Sequence, residues 1–123
     1  MGDWRRYYSE AGFNQGMSRN KKGRKRQAEE RRRAAELPPE RAFYFYRGVG
    51  EPLGSSANSF TDFKVKVVHV EPASVKFHVE RGDFQSWFRM LGEARSAEKV
   101  DALKGLPPDE MKGRLTALLA EAL

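Results

Sequence analysis

The sequence predicts a mainly α-helical protein: a compact bundle of about four to five short helices with one short extended aromatic segment, preceded by a basic N-terminal arm that is partly extended and partly helical. Two observations carry this prediction. Helix-start and helix-stop residues recur between residues 57 and 92, with apolar residues at three- and four-residue spacing between them. Two later stretches repeat that spacing. At 123 residues, 39% of them hydrophobic, the chain suffices for one small core.

Nearly all of the excess positive charge lies in the first third of the chain. Residues 1–40 hold eleven Lys and Arg against six Asp and Glu, whereas residues 41–123 hold twelve against eleven, and the net charge is +6. Such a balance favours an anionic partner: RNA, DNA or an acidic membrane surface. Because Leu37-Pro38-Pro39 interrupts helical structure, we expect a basic arm over residues 1–40 and a small helical globular domain over residues 41–123.

The basic arm combines three kinds of sequence. Six of the nine residues from Ser18 to Arg26 are basic and none is apolar, so this run is not expected to fold by itself. Residues 26–36 favour a helix, with acid–base pairs at i, i+4 spacing. Upstream, aromatic side chains are interleaved with arginines, which suits stacking on unpaired bases and contact with phosphates. The alternative is a disordered tail whose charge serves solubility or nonspecific attraction.

The arm supplies the candidate RNA-binding residues. Its arginines and lysines are expected on phosphates, and its aromatic residues are expected to stack on bases or to pack against a neighbouring protein. The set comprises Trp4, Arg5, Arg6, Tyr7, Tyr8, Arg19, Lys21, Lys22, Arg24, Lys25, Arg26, Arg31, Arg32 and Arg33.

One extended aromatic segment opens the globular domain, at residues 40–47. Alternation places Phe43 and Phe45 on one side of it and two tyrosines on the other. A single short strand needs a partner or a helix layer to cover it. Residues 48–56, with three glycines and a proline, are expected to form a loop.

Residues 57–88 admit two structures. Alternating apolar residues predict a β-hairpin that turns at residues 71–74. Helix signals compete with this pattern, since Ser59 and Asp62 form a capping box and Pro72 suits a first helical position. Because several independent local signals agree, we expect helices.

Three short helices are expected across this stretch. Gly82 would end the second, Asp83 would cap the third, and Lys64 and Lys66 would point away from the core. The expected buried residues are Phe60, Phe63, Val67, Val70, Val75, His78, Val79, Phe84, Trp87, Phe88 and Leu91.

Two more helices complete the domain. Residues 93–104 form the first, closed by Gly105, and Pro107-Pro108 with two acids starts the second. The last helix either covers the core or offers a Leu-rich partner face, and we expect core. Its apolar stripe is Met111, Leu115, Leu118, Leu119 and Leu123.

No constellation of reactive residues suggests catalysis. Ser74 and His78 lie at helical spacing, but no third member or oxyanion element accompanies them. His78 near Asp83 reads as a packed structural residue, and two separated histidines are too few for a metal site. There is no cysteine, which excludes disulfides and thiolate ligands. We therefore expect a protein that is not an enzyme, without cofactor or metal.

Residues 42–105 resemble a small uncharacterised domain family known from archaeal and bacterial proteins. The residues that carry the resemblance are Phe43-Tyr44-Phe45, Gly54, Ala57-x-Ser59-Phe60-x-x-Phe63, Ser74-x-x-x-His78, Asp83-Phe84-x-x-Trp87 and Leu91-Gly92. The resemblance implies helices through this region. Ser96 departs from it, because the family tends to carry leucine there. The family has no agreed biochemical role, so the resemblance bears on fold.

Function is therefore expected in the arm. The leading hypothesis is a structural RNA-binding protein, an archaeal-type ribosomal or ribosome-associated protein in the cytoplasm, whose arm inserts into ribosomal RNA and whose domain contacts neighbouring ribosomal proteins. A DNA-binding or chromatin-associated protein and a protein–protein interaction module are the alternatives. No small-molecule substrate is expected. No membrane is expected either, because the longest apolar run, Ala42–Tyr46, is far below the roughly 20 residues that span a bilayer.

Overall fold

The computed structural model describes residues 21–121, with side chains from residue 24 onwards, and divides the chain into two compact units, residues 1–32 and 33–123. The division falls earlier than the expected boundary after residue 40. The elements are α1 (Lys21–Ala34), a 3₁₀ turn (Pro39–Arg41), β1 (Phe43–Gly48), β2 (Glu51–Ala57), α2 (Phe60–Val67), α3 (Pro72–Arg81), α4 (Asp83–Met90), α5 (Ala94–Asp101) and α6 (Pro108–Glu121).

The mainly helical class is confirmed, but the extended segment is not single. Residues 51–57, predicted as loop, form β2, which pairs antiparallel with β1 from Phe43 opposite Ala57 to Gly48 opposite Glu51. The ladder has two register irregularities, and Gly54 takes a left-handed φ of 81° within β2. The glycine and proline of β2 predict a loop, although an irregular β-ladder tolerates these residues where a regular one excludes them.

Residues 60–67 and 72–81 form two helices, so the alternative hairpin is wrong. Ser59 is the N-cap of α2, and its hydroxyl accepts a hydrogen bond from the Asp62 amide at 2.9 Å. The Asp62 carboxylate accepts a hydrogen bond from the backbone N–H of Asn58 at 3.0 Å. In a standard capping box it would accept from the N-cap residue itself, so the reciprocal bond is shifted here by one residue. Pro72 occupies the start of α3, as predicted.

Gly82 joins α3 to α4 at a corner of a single residue. Its φ of 81° is left-handed, and its amide donates to carbonyls in the last turn of α3. The same glycine is the N-cap of α4. The predicted cap by Asp83 is wrong, because this carboxylate is drawn to His78 and Arg81 instead.

The core is an aromatic cluster between the hairpin and the helices. Phe43 from β1 lies edge-on to Phe63 at 5.8 Å and against Phe84 at 5.1 Å between ring centroids. Such pairs contribute about 0.5–1.5 kcal/mol each beyond the burial of their area. The apolar face of α6 is buried through Met111, Leu115 and Leu119, which confirms its use as core.

Helix boundaries differ modestly from the predicted ones. α1 begins at Lys21 and ends at Ala34, whereas residues 26–36 were predicted. α5 ends at Asp101, followed by turns up to Gly105, so its helical part is shorter than predicted. Ser96, the departure from the resembled family, is buried on α5 without disturbing it.

Two glycine substitutions separate backbone strain from packing. We expect Gly82→Ala to lower the free energy of unfolding by about 1 kcal/mol, since alanine is strained at positive φ although the space around its Cβ is open. Gly113→Ala, in the interior of α6 with equal space, should raise it by about 0.5–1 kcal/mol. Urea unfolding measures both. A loss above about 3 kcal/mol at Gly82 would contradict the open environment.

Candidate functional site

The described part of the basic arm is a helix with one cationic face. At about 100° per residue, Arg24, Lys25, Arg31 and Arg32 fall on the same side of α1, and about 1.5 Å of rise per residue separates the two pairs by about 10 Å. All four side chains are exposed. Glu30 lies opposite this face, whereas Glu29 lies near its edge, one helical turn from Lys25.

The predicted RNA-binding residues divide into three groups. Trp4, Arg5, Arg6, Tyr7, Tyr8 and Arg19 lie outside the described residues, and so do the side chains of Lys21 and Lys22, whose backbone begins α1. Arg24, Lys25, Arg26, Arg31 and Arg32 are exposed on α1. Arg33 lies apart from both groups.

Arg33 is committed to the globular unit. Its Nε and Nη2 donate to the two carboxylate oxygens of Glu93 at 2.7 and 2.9 Å, and its guanidinium lies 5.7 Å from the centroid of the Phe60 ring. Only 15% of the Arg33 side chain and 5% of the Glu93 side chain are exposed. The structure places Arg33 as an anchor of the globular unit, and its predicted phosphate contact stays a prediction. No local sequence pattern could show the anchoring, because the partner is sixty residues away.

Lys64 joins the same cluster, which corrects its predicted position outside the core. Its Nζ is buried without a hydrogen-bond partner in the described part of the chain and lies 5.4 Å from the Phe60 ring centroid. Burial, and then the neighbouring charge of Arg33, lower the pKa of Lys64, while Glu93 raises it. The Lys64 ammonium thus feels the charges of both members of the Arg33–Glu93 pair without a hydrogen bond to the carboxylate.

Ser74 and His78, the pair that resembled part of a catalytic arrangement, bind the backbone of a single residue. The Ser74 hydroxyl donates to the carbonyl oxygen of Tyr46 at 2.6 Å, and the Tyr46 amide donates to Nε2 of His78 at 2.9 Å. One helical turn of α3 therefore satisfies both polar groups on the outer edge of β1. Spacing of four residues suits this use as well as it suits catalysis.

The hydrogen bonds define the tautomer of His78. Since Nε2 accepts from Tyr46, the proton is on Nδ1, which lies 2.8 Å from Asp83 Oδ2. Phe43 and Phe84 flank the ring at 4.9 and 5.1 Å. Burial lowers the pKa of His78, opposed by Asp83. The neutral ring fits this site, because a protonated Nε2 would face an amide that also donates.

The part of the chain that the structure describes has neither a cluster of metal-ligating side chains nor a membrane-spanning helix. No cluster of three or more His, Cys, Asp or Glu side chains lies within reach of one metal ion across residues 24–121. No described helix combines the length and the apolar character needed to cross a bilayer.

Comparison of the chain with protein-family models, with curated proteins and with solved structures finds no significant match. The resemblance of residues 42–105 to a small helical domain family therefore stays a prediction. The helices across residues 60–90 agree with what that resemblance implied.

The buried ion pair predicts unequal costs for two arginine substitutions. Arg33→Gln should lower the free energy of unfolding by about 3 kcal/mol, since it leaves the Glu93 charge buried with less compensation. Arg47→Gln, which removes an exposed partner of Glu71, should cost much less, because solvent screens that pair. Adding Glu93→Gln to the first variant should recover part of its loss. Equal costs in urea unfolding would contradict the anchoring role.

The lowered pKa of His78 predicts acid sensitivity. The unfolded chain takes up this proton near pH ~6.5, and the folded chain takes it up only at lower pH, so the free energy of unfolding should fall as pH falls below about 6.5, by at most about 1.4 kcal/mol per pH unit.

Two histidine variants isolate this contribution between pH 5 and 8. His78→Gln should flatten the dependence in this window, whereas His69→Gln, at an exposed histidine, should leave it as in the wild type. Equal slopes for wild type and His78→Gln would contradict the assignment.

Proposed function

We propose that this protein binds RNA through its basic arm and serves as a structural component or associated factor of a ribonucleoprotein particle, with the ribosome as the first candidate. The observation that carries the proposal is the cationic face of α1, where Arg24, Lys25, Arg31 and Arg32 are exposed together. The proposal extends to the aromatic and basic residues before this helix, which the sequence assigns to the same arm.

The composition of α1 indicates a helix that is more stable beside a polyanionic partner than in isolation. Lys21 and Lys22 stand in its first turn, which has no acidic residue, so the helix macrodipole opposes them. The sequence also places like charges at i, i+4 spacing, as with Lys21 and Lys25. The helix has no apolar stripe through which tertiary packing could offset these costs. Phosphate groups along the cationic face would relieve both.

RNA is favoured over duplex DNA by the residues that precede the helix. Trp4, Tyr7 and Tyr8 lie beside Arg5 and Arg6 in the sequence. Aromatic side chains next to guanidinium groups suit unpaired bases, which folded RNA presents in loops and bulges. Stacking contributes about 1–3 kcal/mol per base.

Duplex DNA is the second candidate, and α1 itself is the observation that favours it. A basic helix without an apolar face has the diameter that enters a major groove, and its arginines could contact both backbones. The two candidates share their phosphate contacts and differ in the need for unpaired bases.

Neutral substitution of the cationic face tests the proposal. Arg24, Lys25, Arg31 and Arg32 changed together to Gln should weaken binding to a structured RNA and reduce the log–log salt slope by up to about 3, at roughly 0.7 per lost phosphate contact. The matched control changes four exposed cations of the globular unit, Arg89, Arg95, Lys99 and Arg114, to Gln. It should change the slope by less than about 1.

Four outcomes bear on the proposal and its alternative. A control that loses as much slope as the arm variant would show attraction by net charge alone and contradict the assignment to α1. Tighter binding to duplex DNA than to RNA at physiological salt would favour the second candidate. Co-sedimentation with ribosomal subunits at low salt, and release at high salt, would support the ribosomal assignment; absence from every ribonucleoprotein fraction would contradict it.

A further inference from the structure

An apolar groove lies between the hairpin and the corner of α3 and α4. It encloses about 650 Å³, within the range of about 300–1,000 Å³ typical of small-ligand sites. Tyr44, Val49 and Met90, three of the five exposed large hydrophobic residues in the described part of the chain, line it. Exposed apolar side chains gathered around one concave surface are typical of a binding site.

The walls of the groove are fixed by hydrogen bonds on their far sides. The Tyr44 hydroxyl donates to the Pro39 carbonyl at 2.6 Å, and the Trp87 indole Nε1 donates to the Arg41 carbonyl at 2.8 Å. The Tyr46 backbone is held by α3, as described above. A ligand would therefore meet a surface that is already in place, which reduces the entropic cost of binding.

Arg81 places a guanidinium group at the rim of the groove. The guanidinium of Arg81 lies 4.9 Å from the centroid of the Phe77 ring, and its Nε is 3.2 Å from Asp83 Oδ2. Within the described residues these are its contacts, which leave the two terminal nitrogens as a free fork. These two contacts hold the guanidinium at the groove, and a guanidinium fork matches the geometry of a carboxylate.

We propose that this groove binds a small amphiphilic carboxylate, an organic acid whose aromatic or branched apolar body lies against Phe77, Trp87 and Met90 while its carboxylate accepts two hydrogen bonds from the terminal nitrogens of Arg81. This is binding, with no reaction assigned. The sequence analysis predicted no small-molecule substrate, and the groove is formed by elements that no local pattern brings together.

The charge at the groove argues against nucleic acid as its occupant. Arg81 is the one cation among its lining residues, and Asp83 partly neutralises it. Nucleic-acid interfaces are strongly positive, and this protein carries its positive charge on the arm. An occupant with one negative group and an apolar body matches both the single fork and the apolar walls.

Titration of the full-length chain with 3-phenylpropionate and with its uncharged amide tests the proposal. The acid should bind and shift the NMR signals of the Trp87 indole N–H and the Met90 methyl group. The amide should bind about tenfold more weakly. Arg81→Gln should reduce affinity for the acid by about tenfold and leave the amide unchanged, and Arg81→Lys should recover only part of the loss because it lacks the fork.

Two further variants complete the experiment. Met90→Glu should abolish binding of both probes by placing a charge in the apolar groove, whereas Arg89→Gln, outside the groove, should bind as the wild type does. Equal affinity for acid and amide, an Arg81→Gln variant that binds like the wild type, or no binding by the wild type at about 5 mM acid would overturn the proposal.

Other ligands give the remaining outcomes. A peptide ending in phenylalanine that binds more than about tenfold tighter than the free acid would overturn the small-molecule assignment in favour of a protein C-terminus. Arg81→Gln should keep the wild-type affinity for RNA. The proposals for the groove and for the arm are therefore tested independently of each other.

Discussion

The attachment of β1 to α3 is the interaction on which the globular unit depends. A two-stranded hairpin is marginally stable alone, because its outer edges carry unpaired amides and carbonyls. Here Ser74 and His78 satisfy the outer edge of β1 at Tyr46, and Asp83 holds the imidazole in the tautomer that can accept. With that edge fixed, the aromatic side of β1 closes over the helices, and the same fixed strand forms one wall of the groove.

The arm and the globular unit differ in how they distribute charge and apolar surface. The globular unit places most of its large apolar side chains in one core, and it pairs the buried carboxylate of Glu93 with Arg33. The described part of the arm has charge without an apolar stripe, so it has no core of its own to offset that charge. Arg33 is the last arginine of the basic series, and it is the first whose side chain is buried in an ion pair.

Sequence reasoning succeeded where local chemistry determines structure. Ser59, Pro72 and Gly82 each specify a helix boundary through their own side chain or φ angle, so three short helices could be recognised against a competing strand pattern. It failed for β2, where Gly54 and Pro52 look like a loop and only pairing with β1 makes a strand. It failed again for Asp83, because a better partner for the carboxylate, His78, becomes available only when α3 and α4 meet at a corner. The cluster of Arg33, Lys64 and Glu93 and the groove at Arg81 join distant segments, which no periodicity reveals.

The single-residue corner at Gly82 leaves this part of the chain no tolerance for changes in length. An α-helix advances about 100° per residue, so one inserted residue between α3 and α4 would turn the second helix by more than a quarter of a revolution. Phe84, Trp87 and Phe88, now all buried, would leave the core together. Surface loops elsewhere can lengthen at small entropic cost, but natural variation in length should avoid this corner, even where it freely changes the residues around it.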